Sequence, residues 1–355
     1  MEITNEKFLK MNSKKALAKR NALYIFNMAN DKDNYHNSYT LINRANRIMK
    51  CLGYWNWDKY EISNLLDLKM VSRCKDLYRS NCRKVKMNKA IFKFKPYFNL
   101  MLDKGYPPYF MTLTVPNCDG NMISDEIKKM DKAFKTFWLW LYSPIGKNKQ
   151  GFKDRIFDAK GAIKTIELTV NNDTKKFHIH FHCIIFLDNV LEVDFVKNIA
   201  GGFRKISNDF SLISEADLFI KKLWTIAYNG KNISNFKRVS DKWFESFICD
   251  IEKLEMPKGI YEAFKYAFKD SNIDSYETFK YIFDGLFNKH LIQSYGKLYN
   301  LNKDIDFICE NIVENINDLI IDNEIPEEVV ASSILEMTEK YRDYKKISRH
   351  HYDKR

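Results

Sequence analysis

The chain has 355 residues, 45% of them hydrophobic and 15% aromatic, enough for sizeable cores in two domains or three small ones. Its 58 Lys and Arg outnumber 46 Asp and Glu, and the net charge of +12 favours a polyanionic partner, with an ordinary basic soluble protein as the alternative. Seven cysteines, odd in number and scattered, suit reduced thiols in a cytoplasm better than a secreted disulfide framework. The opening MEITNEKFLKMNSKK has no apolar signal region, and no stretch is long enough to span a bilayer, so no membrane role is expected.

Residues 1 to 90 read as a basic helical region and a candidate DNA-binding part. Leu41, Ile42, Ala45, Ile48 and Met49 make one apolar face, with Arg44, Arg47 and Lys50 turned away. Between Leu77 and Leu102 there is no acidic residue, whereas Arg79, Arg83, Lys84, Lys86, Lys89, Lys93 and Lys95 all occur. Phe92, Phe94, Tyr97 and Phe98 are interleaved with the later cations. Two readings stand side by side: a surface that follows a phosphate backbone with aromatics stacking on bases, or a solvated basic face over a buried aromatic one.

Tyr109 to Val115, YFMTLTV, alternates as a strand and places Phe110, Thr112 and Thr114 on one face. Ser124 offers an N-cap, and Ile127, Met130, Phe134, Phe137, Trp138 and Leu141 then repeat at helical spacing, an aromatic stripe for packing on a sheet. Ala162 to Val170 is the next strand, and Asn171-Asn172-Asp173 signals a turn into KFHIHFHCIIF at 176–186. There His178, His180 and His182 alternate with Ile179 and Phe181, so all three imidazoles share one strand face. A hairpin centred between Asp173 and Thr174 pairs Glu167 with His180, Thr169 with His178 and Thr165 with His182. A one-residue slip would turn Glu167 to the other face. In that register a carboxylate lies beside two imidazoles, a nest for a divalent cation.

Residues 190 to 250 mix helix and strand signals and carry no chemical motif, although Phe247 to Leu254 reads as a strand. A helix is expected from Ile260, IYEAFKYAFKDSN, on which Glu262, Tyr266 and Lys269 share a face flanked by Lys265. From Lys303 to Glu328 there are nine acidic residues and one Lys, with apolar residues at helical spacing, an acidic extension suited to self-association or protein partners. The tail from Lys340 is basic and expected to be loose.

The order of three motifs resembles the HUH endonucleases, specifically the rolling-circle plasmid replication initiators with one tyrosine and a nearby glutamate. FMTLTVPN at 110–117 is similar to the first motif of that family, HIHFHCII at 178–185 to its His-hydrophobe-His motif, and EAFKYAFKDS at 262–271 to its tyrosine motif. NKHLIQSYGKLY at 288–299 is similar to the closing segment, so the likeness covers about 110 to 300. It implies an α+β fold, with a central, mainly antiparallel sheet flanked by helices and the histidine strand in its middle. With the other regions added, the expected domains are 1–90, an endonuclease domain at 91–300, and an acidic helical extension with a basic tail at 301–355.

The resemblance also implies chemistry. His180 and His182, with Glu167, would hold Mg²⁺ or Mn²⁺; Tyr266 would attack a DNA phosphate, assisted by Lys269; and Glu262 would serve at termination. DNA contacts are expected from Lys265, Thr112, Thr114, Arg83, Lys84 and Lys86. The implied partners are plasmid origin DNA, duplex and single-stranded, a host helicase and polymerase, and a second copy of the chain. A relaxase or single-strand transposase would share this chemistry, and a non-catalytic origin- or RNA-binding protein could share the fold. One departure is that related initiators often carry a Cys followed by Cys-Pro-x-Cys ahead of the first motif. This chain keeps Cys82 but has Met87 and Ala90 where the next cysteines would stand. Cys74 and Cys82 by themselves are too few for a four-ligand zinc site.

Overall fold

In a computed structural model the described residues are 5–51, 54–60, 66–71, 73–147, 149–171, 173–191, 214–238, 247–254, 273, 275–299 and 346–353. They form helices α1 (Asn5–Asn30), α2 (Ser38–Met49), α3 (Ser80–Asp103), α4 (Ile123–Tyr142), α5 (Glu215–Tyr228) and α6 (Tyr276–Leu286). The strands are β1 (Tyr54–Tyr60), β2 (Leu66–Val71), β3 (Pro108–Thr114), β4 (Ala159–Val170), β5 (Phe177–Leu187), β6 (Cys249–Lys253), β7 (Ile292–Gly296) and β8 (Lys346–Asp353). The chain divides into two compact units, one comprising 1–93 with 304–355 and the other 94–303. No helix among the described residues is long and apolar enough to cross a membrane.

In the first unit α1 packs on α2. Ala18, Ala22, Ile25 and Ala29 supply the buried stripe of α1, and Leu41, Ala45 and Ile48 that of α2. Arg44, on the polar side of α2, does not simply face water. Its guanidinium donates to both oxygens of Asp76, at 2.6 and 3.2 Å, and so ties the loop before α3 to α2. This unit is not purely helical as the sequence led us to expect. β1 pairs antiparallel with β2 on one side and β8 on the other, giving the order β2-β1-β8. The signal was local: YWNWDKY is rich in aromatics that suit a pleated surface, and LDLKMV alternates apolar with charged residues. The basic tail, expected to be loose, supplies the third strand at Lys346–Asp353; the acidic segment at 303–328 lies outside the described residues.

The second unit is built on a five-stranded sheet of order β6-β3-β5-β4-β7, every pairing antiparallel, with the histidine strand β5 at its centre. The α+β class with a central antiparallel sheet and flanking helices is therefore the observed one. One face is dry. Phe134 of α4 and Trp224 of α5 are fully buried against Phe181 of β5, with Phe134 meeting Phe181 edge-on at 5.9 Å between ring centroids, and the buried Phe137 of α4 packs edge-on to Trp224. The indole N–H of Trp224 donates to the Thr114 carbonyl at 2.8 Å, and the Ile251 amide donates to the Asp217 carboxylate at 2.8 Å, fastening α5 to β3 and β6. α6 closes on the start of α4 at Gly285, where a Cβ would lie 2.3 Å from Ile123 Cγ2. Ser124 does not cap α4: a 3-10 turn at Gly120–Met122 leads straight into Ile123, which leaves Ser124 inside the first turn.

One charge is buried on the dry face. Lys164 of β4 has no exposed surface, and its ammonium donates to Asp131 of α4 while lying 4.0 Å from the centre of the Phe181 ring and 5.0 Å from that of Phe134. Burial depresses the Lys164 pKa, and the neighbouring Asp131 charge opposes that shift. Removing the partner alone should therefore be costly, because an uncompensated ammonium would remain among aromatic rings. Asp131→Ala should lower unfolding free energy by about 3 kcal/mol, given that breaking a buried pair costs about 3–5 and Asp131 is partly exposed. The double variant Lys164→Met with Asp131→Leu should recover most of the loss; urea unfolding of the three proteins measures both.

Candidate active site on the histidine face of the sheet

Residues opposite one another in adjacent strands share a face, so the register defines the site. Glu167 of β4 pairs with His180 of β5, which pairs with Thr114 of β3; Thr165 pairs with His182, and His182 with Thr112. Thr169 pairs with His178. The turn explains the register. Asn171 accepts from the Asp173 and Thr174 amides through its side chain, Lys175 takes the left-handed conformation (φ 55°), and its amide returns to the Asn171 carbonyl at 2.8 Å. The hairpin is centred between Asp173 and Thr174, where the turn residues place it, with Val170 opposite Phe177.

The histidines are graded in exposure. His182 is buried, whereas His178 and His180 are half-buried. His182 Nε2 lies 2.8 Å from Glu167 Oε2, His182 Nδ1 lies 3.4 Å from Thr112 Oγ1, and the ring stacks on Phe110 with centroids 5.4 Å apart. His180 Nε2 lies 3.4 Å from Thr169 Oγ1, and its ring sits 4.1 Å from that of His178. Burial pushes the His178 imidazole below its ordinary range, against the opposing charge of Glu167. A neutral imidazole is a competent ligand or hydrogen-bond acceptor near neutral pH.

Two imidazoles and a carboxylate on one sheet face are a donor set that suits a divalent cation. The side chains as they stand are engaged with one another, however: the Nε2 of His182 and Oε2 of Glu167, which an ion would use, hold their mutual hydrogen bond. Among the described residues, the three-residue group whose ligand atoms all lie within 4.8 Å of each other is a set of cysteines elsewhere, not this one. The chemistry of the donors fits; binding would require the His182–Glu167 bond to give way to the ion.

The other expected residues fall as follows. Thr112 stands beside His182, while Thr114 is buried and its hydroxyl accepts from the Ile248 amide at 2.8 Å. Lys84 and Lys86 are exposed on α3, and Arg83 is half-buried there, its guanidinium pushed down to about 10 by burial. Phe94, Tyr97 and Phe98 of the same helix are buried, so these three rings are not presented for stacking on bases. Glu262, Lys265, Tyr266 and Lys269 lie outside the described residues. A residue missed in the sequence is Asp250 of β6, which pairs with Thr112 and so adds a carboxylate to the row containing His182. Its signal was the alternation of CDIEK, unreadable as a site until β6 was known to lie beside β3.

Residues 65–191 match the model of a family described as replication protein. That span includes both the first motif and the histidine strand and ends before Tyr266. Two proteins named "Protein rep" are each 23% identical to the chain over 276 residues. One, from a Bacillus species, is matched over 74% of this chain and 81% of its own length. The other, from Bacillus amyloliquefaciens, is matched over 74% of this chain and 73% of its own. No solved structure matches.

The His182–Glu167 bond should be visible in stability. Glu167→Ala takes a charged partner from a buried imidazole and should cost about 1–3 kcal/mol. Thr169→Val, next to the more exposed His180, should cost less than about 1 kcal/mol. Equilibrium urea unfolding of both variants gives the comparison.

Proposed function

We propose that this chain, a relative of the plasmid replication proteins, initiates rolling-circle replication of a plasmid by nicking one strand of its origin. The observation that carries the reading is the central strand β5, which sets His180 and His182 beside Glu167 on a face the packed helices α4 and α5 leave uncovered. The family match over that strand and the net charge of +12 support it.

The proposed reaction is a transesterification. The Tyr266 oxygen attacks the scissile phosphorus, the P–O3′ bond breaks, and the proton ends on the departing 3′ oxygen. The products are a 5′-phosphotyrosine and a 3′-hydroxyl from which a host polymerase extends. A phenol has a pKa near 10 and needs help at neutral pH. Lys269, three residues on, would favour the phenolate or hold the phosphate. Mg²⁺ or Mn²⁺ held by His180, His182 and Glu167 would offset charge on the phosphate oxygens. Because the phosphodiester energy is kept in the adduct, a DNA hydroxyl can reseal the strand. Glu262, four residues before Tyr266 in the sequence, would serve as the base that lets water end the last cycle. The exposed Lys84 and Lys86, with Arg83, Lys265, Thr112 and Thr114, would hold the DNA, and a host helicase and a second protomer complete the proposed assembly.

Incubating the protein with single-stranded origin DNA and Mn²⁺, then mapping the adduct by mass spectrometry, tests the proposal. The mass should sit on Tyr266, and Tyr266→Phe should abolish it while duplex binding changes little. Glu262→Gln should still form the adduct but accumulate products longer than one plasmid unit. An adduct formed by Tyr266→Phe at the wild-type rate, or none by the wild type, would sink the assignment; DNA binding with no nicking would indicate a non-catalytic origin-binding protein.

The basic helix makes a separate expectation. Each lysine that neutralises a duplex phosphate contributes about 0.9 to the slope of log affinity against log salt. Changing Lys84 and Lys86 to Ala should reduce that slope by up to about 2 and weaken duplex binding. Cleavage of a short single-stranded substrate should survive, and binding measured at several salt concentrations reads the slope.

A further inference from the structure

In the first unit, three cysteines from separate elements meet. Cys51 follows α2, Cys74 lies in the loop after β2, and Cys82 stands in the first turn of α3. All three are buried and none is in a disulfide. Cys82 Sγ is 3.5 Å from Cys51 Sγ and 3.6 Å from Cys74 Sγ, and all three sulfurs lie within 4.8 Å of one another. We propose that Cys51, Cys74 and Cys82 bind one thiophilic divalent cation of the zinc class as thiolates, with a fourth coordination position completed by another ligand.

Three features separate this from thiols packed as small apolar groups. The first is span. Zinc–sulfur bonds of about 2.3 Å at the tetrahedral angle put sulfurs about 3.8 Å apart, so the observed triangle needs little adjustment to close on one ion. A cubane iron–sulfur cluster, in which each cysteine binds a different iron atom, would need them farther apart, and a two-iron cluster places no more than two cysteines on one iron. The second is the backbone. The Cys74 amide donates to Cys51 Sγ at 3.4 Å. A thiol packed as a hydrophobe needs no such donor, whereas a thiolate is stabilised by one. The third is preparation of the loop. Lys75 sits in the left-handed region (φ 56°), which turns the chain sharply between Cys74 and Asp76. Asp76 is then held by Arg44 in two hydrogen bonds and accepts from the Tyr78 amide at 3.0 Å. The strain at Lys75 is thus maintained by contacts that present Cys74 to the other two cysteines.

Three buried thiolates without a cation would repel one another at close range, so three thiolates in this arrangement require a positive ion among them. Such an ion would join the end of α2 to the first turn of α3. Cys82 is followed directly by Arg83 and Lys84, so the ion would also fix the start of the basic helix.

Full-length protein purified without chelator should carry one zinc per chain by elemental analysis. Cobalt exchanged into it should show thiolate-to-metal charge-transfer absorption. Cys51→Ser, Cys74→Ser and Cys82→Ser should each lose affinity by more than the roughly 100-fold that loss of an outer-shell partner costs, while Cys118→Ser keeps full occupancy. A measurement on the unaltered protein guards against variants that fail to fold. Iodoacetamide followed by peptide mapping should leave Cys51, Cys74 and Cys82 unmodified in the loaded protein and label all three after chelation. Less than a tenth of an equivalent of metal, no charge-transfer band with cobalt, or labelling unaffected by chelation would each overturn the proposal.

Discussion

The second unit depends on the register between β4 and β5. Side chains alternate along a strand, so a slip of one residue would exchange the two faces of β4 against its neighbour. Glu167 would leave the histidine face, and Lys164 would lose its place opposite Asp131 and the aromatic rings of Phe134 and Phe181. The histidine site and the dry core are thus held by one alignment, and the Asn171 turn with its left-handed Lys175 sets it at the tip of the hairpin. Burial on the helix side supplies most of the free energy that protects the register, and the buried His182–Glu167 bond on the other side adds to it.

This division of labour shapes the chemistry. Strands buried under α4 and α5 form a rigid base, and a rigid base keeps His180, His182 and Glu167 near one another whether or not an ion is present. Mutual engagement of His182 and Glu167 satisfies two polar groups that burial would otherwise penalise. A cation would compete for the same lone pairs, so affinity at such a site reflects the exchange of one charged contact for another rather than the filling of a ready cage. Asp250, brought into the row of His182 by β6, raises the negative potential on this face and makes it more hospitable to a cation than the histidine strand by itself.

The first unit solves a different problem. Among its described side chains, α1 buries Ala18, Ala22 and Ala29 with Ile25 and Met28, and α2 buries Leu41, Ala45 and Ile48, so half of these eight are alanines. The Arg44–Asp76 pair and the meeting of Cys51, Cys74 and Cys82 tie α2 to the loop and to α3 where apolar area is modest. Small cores of this kind are where covalent or metal cross-links contribute most in proportion.

What could be read from the amino-acid order was whatever depends on neighbours along the chain. Alternation in HIHFHCII, the turn residues at 171–173 and the stripe of α4 predicted the strand, the hairpin register and the packing helix, because period and turn chemistry are local. The likeness to replication initiators followed from the order of such local motifs. Lateral neighbours were not available in that way. Asp250 reaches the row of His182 only because β6 pairs with β3, two strands separated by more than a hundred residues. Cys51 joins Cys74 and Cys82 across an intervening strand pair, so spacing along the chain relates only Cys74 to Cys82. The tail at 346–353 became a strand because β1 had an edge to offer, a vacancy that no property of KISRHHYD itself could announce. Strand order and side-chain convergence are set by the total burial of the folded chain, and that quantity exists only in three dimensions.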